Sequence, residues 1–383
     1  MNLLKKILKY PVVLAFFLFI FLFTAVDLVK PDREYSEFEN KYLTQRPEFT
    51  LASFLNNEWT SKYETYLNDQ FVLRDDWITL KSICESMLLK IENNGIAYGA
   101  DDYLFEKFTT LAGDSLAQFE RNVGYEKTFI DTYGETVPIT FTIIPNAYMI
   151  LPEKLPEGLI QVDQAAYTAP IYEAVGDKAQ VVDFTGALTA HKDEYIFYRT
   201  DHHWTTLGAY YAYAAYVESL GMEPVALDSL SGIEVPDFYG TYFSKAKKFD
   251  AVADTITYYP IADAGVIIDG QEADGYYDLS KFEVRDKYAA FLRGNNGYTV
   301  IKSGVREVPE GQEPSKILVI KDSYANSFVP FLLYNFDEVH VVDLRYSAVS
   351  MKELLSTENF DQVLLMYNFM NLVTDTNLYK LGY

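Results

Sequence analysis

The first apolar stretch is also the longest. Tyr10 to Val26 (YPVVLAFFLFIFLFTAV) carries no charge, follows Lys5, Lys6 and Lys9, and is closed by Asp27. Its 17 residues reach the lower end of the ~17–25 that cross a bilayer as a helix. A secretory signal has a shorter apolar core, roughly 7–15 residues, ahead of a small-residue cleavage site. Thr24-Ala25-Val26 is a poor site of that kind. Residues 1–30 are therefore read as a cytoplasmic tail and an uncleaved anchor, with a cleaved signal as the alternative. Lysines before the run and acids after it (Asp27, Asp32, Glu34, Glu37) put the N-terminus inside. The expected location is the cell membrane, single-pass, with the remainder extracytoplasmic.

Polar residues 31–50, with Pro31 and Pro47, predict an extended linker. Apolar residues then recur at helical spacing: Leu55, Trp59, Tyr63, Tyr66 and Leu67, then Trp77, Leu80, Ile83, Met87, Leu88 and Ile91. Asn93-Asn94-Gly95 breaks that pattern, and a third stripe runs through Leu116, Phe119, Val123, Phe129, Ile130 and Tyr133. From there the rhythm is α/β. The pattern predicts strands at Val137–Ile144, Gln180–Phe184 and Ile196–Tyr198, and helices near Gln164–Val175 and Thr206–Leu220. Residues 224–312 are Gly/Asp/Tyr-rich without helical period, a β-rich excursion. Lys316–Ile320, Val339–Val342 and Val363–Met366 are apolar without alternation, as in strands buried on both faces. Helices are expected from Asp322-Ser323 to about Leu333 and around Ser350–Leu355. The fold class is α/β: a mainly parallel sheet flanked by helices, in one domain over 51–383 with 224–312 as an irregular insertion.

Charge narrows the function. Over 383 residues, 32 Lys+Arg against 55 Asp+Glu leave a net −23. Such a surface repels phosphate backbones, which argues against nucleic acid as a partner. Cys84 is the only cysteine, so no disulfide scaffold or Cys-based zinc knuckle is available. Aromatic residues make up 16%; sugar stacking and a ring-built core are both served by them.

Two strand ends carry unusual residues. Ile320-Lys321-Asp322-Ser323-Tyr324 places a serine on a strand-to-helix turn, where a helix N-terminus supplies N–H donors to an oxyanion. An N-cap role for Ser323 is the plain alternative. Asp201-His202-His203-Trp204 holds two of the four histidines. In an extended turn residues i and i+2 point the same way, which pairs Asp201 with His203 and turns His202 away. A structural loop and a metal site compete with that reading. Adjacent histidines seldom bind one ion, and neither H-E-x-x-H nor a cysteine cluster supplies further ligands. No metal or cofactor is expected. Asp201, His203 and Ser323 together make an acyl-transfer set: orienter, base and nucleophile.

The run Tyr198-Arg199-Thr200-Asp201-His202-His203-Trp204-Thr205 resembles the signature of the DHHW family, related to SGNH-hydrolase-like proteins that O-acetylate alginate and other exopolysaccharides. Asn68 to Asp75, Gly95 to Gly99, Asp286-Lys287-Tyr288 through Gly294-Asn295-Asn296, Lys321 to Tyr324 and Val342 to Tyr346 resemble its other signatures, so the likeness covers nearly the whole exported chain. It implies a permuted SGNH fold, with Asp201 and His203 ahead of a nucleophilic Ser323. It also implies an oxyanion role for Asn295 and a substrate-site role for Arg345. Where alginate relatives more usually carry a Gly-Thr-Ser-like turn, this chain has Lys321-Asp322; the backbone N–H groups of Ser323 and Tyr324 are then the oxyanion candidates. The implied activity is O-acetylation of a cell-surface or secreted polysaccharide through an acetyl-serine, and the implied partner is a membrane-bound O-acyltransferase that supplies acetyl groups. An esterase or deacetylase with the same triad, and a non-catalytic polysaccharide-binding or assembly protein, are the alternatives.

Overall fold

The structure is a computed structural model that describes residues 9–383; Lys5 and Lys6, counted above toward orientation, lie outside the described residues. The described residues up to Lys90, with Lys247–Asp250, form one compact unit, and Ile91–Ala246 with Ala251–Tyr383 form another.

In the first unit, helix α1 (Pro11–Val29) has none of its residues buried and is long and apolar enough to cross a membrane. Proline at its first turn costs no hydrogen bond, because that N–H would be unpaired anyway. Helices α2 (Glu58–Gln70) and α3 (Arg74–Met87) follow. The polar stretch expected to be an extended linker contains a small hairpin, Tyr35–Ser36 against Lys41–Tyr42. The end of α2 fastens it: Asp69 accepts from Lys41 Nζ at 2.8 Å and from the Thr44 N–H at 3.0 Å.

The second unit is built on eight strands: β1 (Ile139–Ile144), β2 (Gln180–Val181), β3 (Asp263–Ile268), β4 (Gln271–Ala273), β5 (Tyr298–Ser303), β6 (Lys316–Lys321), β7 (Glu338–Val342) and β8 (Gln362–Asn368). Their order is β4-β3-β5-β7-β6-β8-β1-β2. The strands from β7 to β2 are parallel, while β5, β3 and β4 extend the sheet antiparallel from β7. The β-rich excursion thus supplies one end of the central sheet.

Strand β6 explains the unbroken apolar run. Ile317 and Val319 belong to the core on one face of the sheet, and Leu318 and Ile320 to the core on the other. The first core is shared with helix α6 (Thr206–Ser219) through Tyr213 and Tyr216, the second with α4 (Asp114–Tyr133) and α5 (Gln164–Val175) through Phe129 and Ile171. Full burial of each such side chain stabilises the fold by roughly 1.5–3 kcal/mol. Two expectations fail locally. Ile196–Tyr198 forms only an isolated bridge, Phe197 to Trp204, that closes the Asp-His-His loop. After β6 the chain does not enter an α-helix but two 3₁₀ segments, Ser323–Ser327 and Val329–Tyr334. Pro330, at the start of the second, offers no N–H to an α-helical ladder.

Candidate active site

Ser323 lies two residues beyond the end of β6, at the carboxyl end of a parallel strand, where open α/β sheets place functional groups. It is not the cap of the turn. Asp322 takes that place: its Oδ1 accepts the Tyr324 N–H at 2.9 Å, and its Oδ2 accepts the Asn368 N–H at 2.6 Å and Asn371 Nδ2 at 2.7 Å. With the cap provided by the aspartate, the Ser323 hydroxyl reaches His203, Oγ to Nε2 at 2.9 Å. On the far side of the imidazole, Nδ1 lies 2.5 Å from Asp201 Oδ1. Exposure falls along the row, 8% for Ser323, 5% for His203 and 3% for Asp201, so the relay opens to solvent at the serine end.

The loop is held from several sides. Asp254 accepts the N–H groups of Arg199 and Thr200, both at 2.8 Å, and the Thr200 hydroxyl at 2.5 Å. The second oxygen of Asp201 accepts the Thr241 N–H at 2.7 Å and its hydroxyl at 3.1 Å. Gly240 lets that strap come close, since a Cβ there would lie 2.1 Å from Asp201 Cβ. Tyr288 stacks on the His203 ring at 3.9 Å and 12°, and its hydroxyl donates to the Ser323 carbonyl at 3.0 Å. Trp204 donates its indole N–H to the Tyr324 carbonyl at 2.9 Å, joining the histidine loop to the serine turn.

His202 does not face away as the alternation rule required. The loop is a bend rather than a strand, so its ring packs on His203 at 3.8 Å between centroids, with Nδ1 2.7 Å from Thr241 Oγ1 and 3.5 Å from Asp201 Oδ1. Asp201, His202 and His203 bring ligand-type atoms within 4.8 Å of one another. Both ring nitrogens of His203, Asp201 Oδ1 and His202 Nδ1 have hydrogen-bond partners within the protein.

Electrostatics follow from burial. Burial alone would raise the Asp201 carboxyl, but the adjacent His202 and His203 and the N–H donors hold it well below the usual carboxylate range. Enclosure, and then neighbouring His203, pushes His202 down to about 4, so it is neutral near pH 7. Burial pushes the Asp322 carboxyl up.

Tyr324, Asn295 and Arg345 sit differently from what the motifs implied. The Tyr324 amide is not free for an oxyanion, because Asp322 holds it. No α-helix N-terminus stands behind the serine either, the turn being 3₁₀. The Asn295 carbonyl accepts from Lys321 Nζ at 3.3 Å and Asn326 Nδ2 at 3.1 Å, and Arg345 binds Asp343 through two hydrogen bonds at 2.8 and 2.6 Å. Lys321 also reaches Asp343 at 3.2 Å. This cluster pairs its cations and anions around the root of the serine turn; none of these bonds goes to Ser323 or His203. A cleft of about 310 Å³ adjoins His202 instead, lined among others by Asn146, Thr241, Asn368 and Asn371. Asn368 had a signal in the sequence: like Asp322, it is a buried polar residue at the carboxyl end of a strand whose middle is apolar. Gly240 and Thr241, in the irregular excursion, had none.

Residues 165–342 match the family described as DHHW protein, and residues 96–229 match the SGNH hydrolase-like domain, acetyltransferase AlgX. The chain resembles the DHHW proteins. Its fold is SGNH hydrolase-like, with the Asp-His pair ahead of the serine. The solved DHHW family protein from Eubacterium siraeum DSM 15702 superposes with a TM-score of 0.64 at 24% identity, over 76% of this chain and 96% of that one. PatB1 of Bacillus cereus does so with 0.60 at 20% identity, over 74% and 98%. Both likenesses concern the fold alone. A probable alginate O-acetylase, AlgJ of Pseudomonas fluorescens, is 26% identical over 168 residues, 41% of each chain. The DHHW-like chain therefore spans about two-fifths of the length of the curated relatives it matches.

Proposed function

We propose that this chain is an O-acetyltransferase that modifies a cell-surface or secreted polysaccharide, anchored by α1 with the residues after α1 outside the cytoplasm. The observation that carries the reading is the unbroken relay from Ser323 Oγ through His203 to Asp201, beside the cleft at His202. In the first step His203 Nε2 takes the serine proton as Oγ attacks the acetyl carbonyl of a donor ester. Asp201 keeps the Nδ1 proton pointed at itself and stabilises the imidazolium that forms. The imidazolium then gives its proton to the leaving oxygen, and an acetyl-serine remains. A sugar hydroxyl next loses its proton to His203 and attacks the acetyl group, which leaves acetylated sugar and free serine. Asn371, which gives one amide N–H to Asp322, keeps its second for the acetyl oxygen or the sugar. Asn295 and Arg345 support the serine turn through Lys321 and Asp343. The acetyl donor is proposed to be replenished by a membrane-bound O-acyltransferase.

Ser323→Ala tests the proposal. With a chromogenic acetyl ester as donor and an oligosaccharide as acceptor, acetyl transfer should fall to background while circular dichroism stays unchanged. A folded Ala variant that still acetylates would refute the nucleophile. Release of free acetate at full rate with no acetylated sugar, for every acceptor offered, would identify an esterase instead.

A further inference from the structure

Helix α3, in the first unit, turns an apolar face outward. Leu73, Trp77, Leu80, Cys84 and Met87 recur along one helix face, and each is exposed. The run continues into Leu88 and Leu89, which are 82% and 85% exposed. The opposite face is fastened to the same unit: Ser82 is buried and accepts the Phe249 N–H at 3.1 Å, while Arg74 binds Glu39 and Asp75 binds Arg33, both at 2.8 Å. A helix whose polar side is engaged and whose apolar side is open has the pattern of an interfacial membrane helix.

The near end of the stripe touches α1. The Trp77 ring lies 5.9 Å from Phe23 and 6.3 Å from Phe19, and Phe71 lies 6.4 Å from Phe23. At 1.5 Å per residue, Phe23 and Phe19 are about 9 and 15 Å along the axis from Val29. A span through a bilayer puts both phenylalanines among the acyl chains, and Trp77 goes with them. We propose that α3 lies in the leaflet on the Val29 side, its stripe from Trp77 to Leu89 against lipid. This rests on the reading of α1 as a membrane span. Lys81 and Lys90, both paired with Glu85, lie close enough to the stripe to keep their charges at headgroup level. The first unit is then seated in the membrane by two elements rather than hung from one.

Cys84, the chain's only cysteine, lies on the stripe and serves as the probe. The full chain, nitroxide-labelled there, is placed in phosphatidylcholine vesicles, with a Cys84→Ser/Glu310→Cys chain labelled as the aqueous reference. The label at 84 should collide freely with oxygen and at least tenfold less often than the reference with a water-soluble nickel complex. Nickel accessibility equal to the reference would overturn the proposal. Shielding from both oxygen and nickel would overturn it too, in favour of a protein partner or a second copy over the stripe. A chain stripped from the vesicles by carbonate would refute the span itself, and is read separately by sedimentation.

Discussion

Gly240→Ala tests the link between the fold and the chemistry, because Gly240 touches neither the serine nor the histidine in the relay. A Cβ at this buried position would lie 2.1 Å from Asp201 Cβ, 2.2 Å from Oδ2 and 2.5 Å from Cγ. Carbon atoms settle near 3.5 Å, so Asp201 or the strap must give way by about 1.4 Å. The Asp201 to His203 contact is 2.5 Å and does not survive a displacement of that size as a hydrogen bond. Misplacing a catalytic group by about 1 Å costs roughly 10²-fold, and loss of the orienting carboxylate costs about 10⁴. The expected fall in kcat lies between these, or about 3–5.5 kcal/mol in the barrier. KM for a small chromogenic acetyl ester should change little, since the aspartate does not touch it. Overpacking also destabilises, by about 1–3 kcal/mol, so activity is measured well below the melting temperature with near-ultraviolet circular dichroism as the control. Gly186→Ala is the paired control, because a Cβ there meets nothing within 4 Å. If the folded Gly240→Ala protein retains kcat within threefold of the wild type and the folded Asp201→Asn protein does the same, Asp201 has no orienting role and the relay argument fails.

Three further outcomes follow from the same geometry. Tyr288→Phe keeps the ring stacked on His203 and loses only the hydroxyl on the Ser323 carbonyl, for about 1 kcal/mol of stability; Tyr288→Ala also loses the stacking, and kcat should fall about tenfold further. Equal kcat in the two variants would mean that the ring positions nothing. Glu126 is buried with both carboxyl oxygens unpartnered, and burial raises its folded-state pKa well above the usual value. Above the unfolded pKa the folded state then holds a proton that the unfolded state releases, so stability is lost as pH rises. Urea melts should show Glu126→Gln gaining on the wild type by up to about 1.4 kcal/mol per pH unit above pH ~4.5, and a pH-independent difference would show the carboxyl to be ionised in the fold. His202 is depressed to about 4, so the unfolded state gains a proton first as pH falls. Stability should decline between pH ~6.5 and 4, and His202→Asn should flatten that limb in the same melts.

What the sequence determines by itself is whatever is local or periodic. The alternation-free runs of β6, β7 and β8 are legible because both faces of a central parallel strand are buried, and residue type then records burial directly. The helix at Gln164–Val175 and the one beginning at Thr206 are legible from their spacing, the second also from the Thr205 cap, which accepts from Gly208. The charge-free Tyr10–Val26 run is legible for the same reason. Asp201, His203 and Ser323 could be selected because each is a chemically unusual residue at a strand end or turn. The tertiary structure decides what depends on contacts between segments far apart in the chain. It decides that Asp322 rather than Ser323 caps the turn, because the partners of Asp322, Asn368 and Asn371, arrive from β8 and the segment after it. It turns His202 onto His203, because Thr241 and Asp201 meet only after the excursion folds back over the loop. Gly240 is required by a neighbour 39 residues earlier in the chain. Residues 224–312 gave no helical period to read because three of their strands take an end of the central sheet and two more, Ile233–Phe238 and Asp254–Tyr258, pair apart from it. Single residues carry no record of such partners; spacing and composition encode an element's own faces, and the partner of each face is fixed by packing.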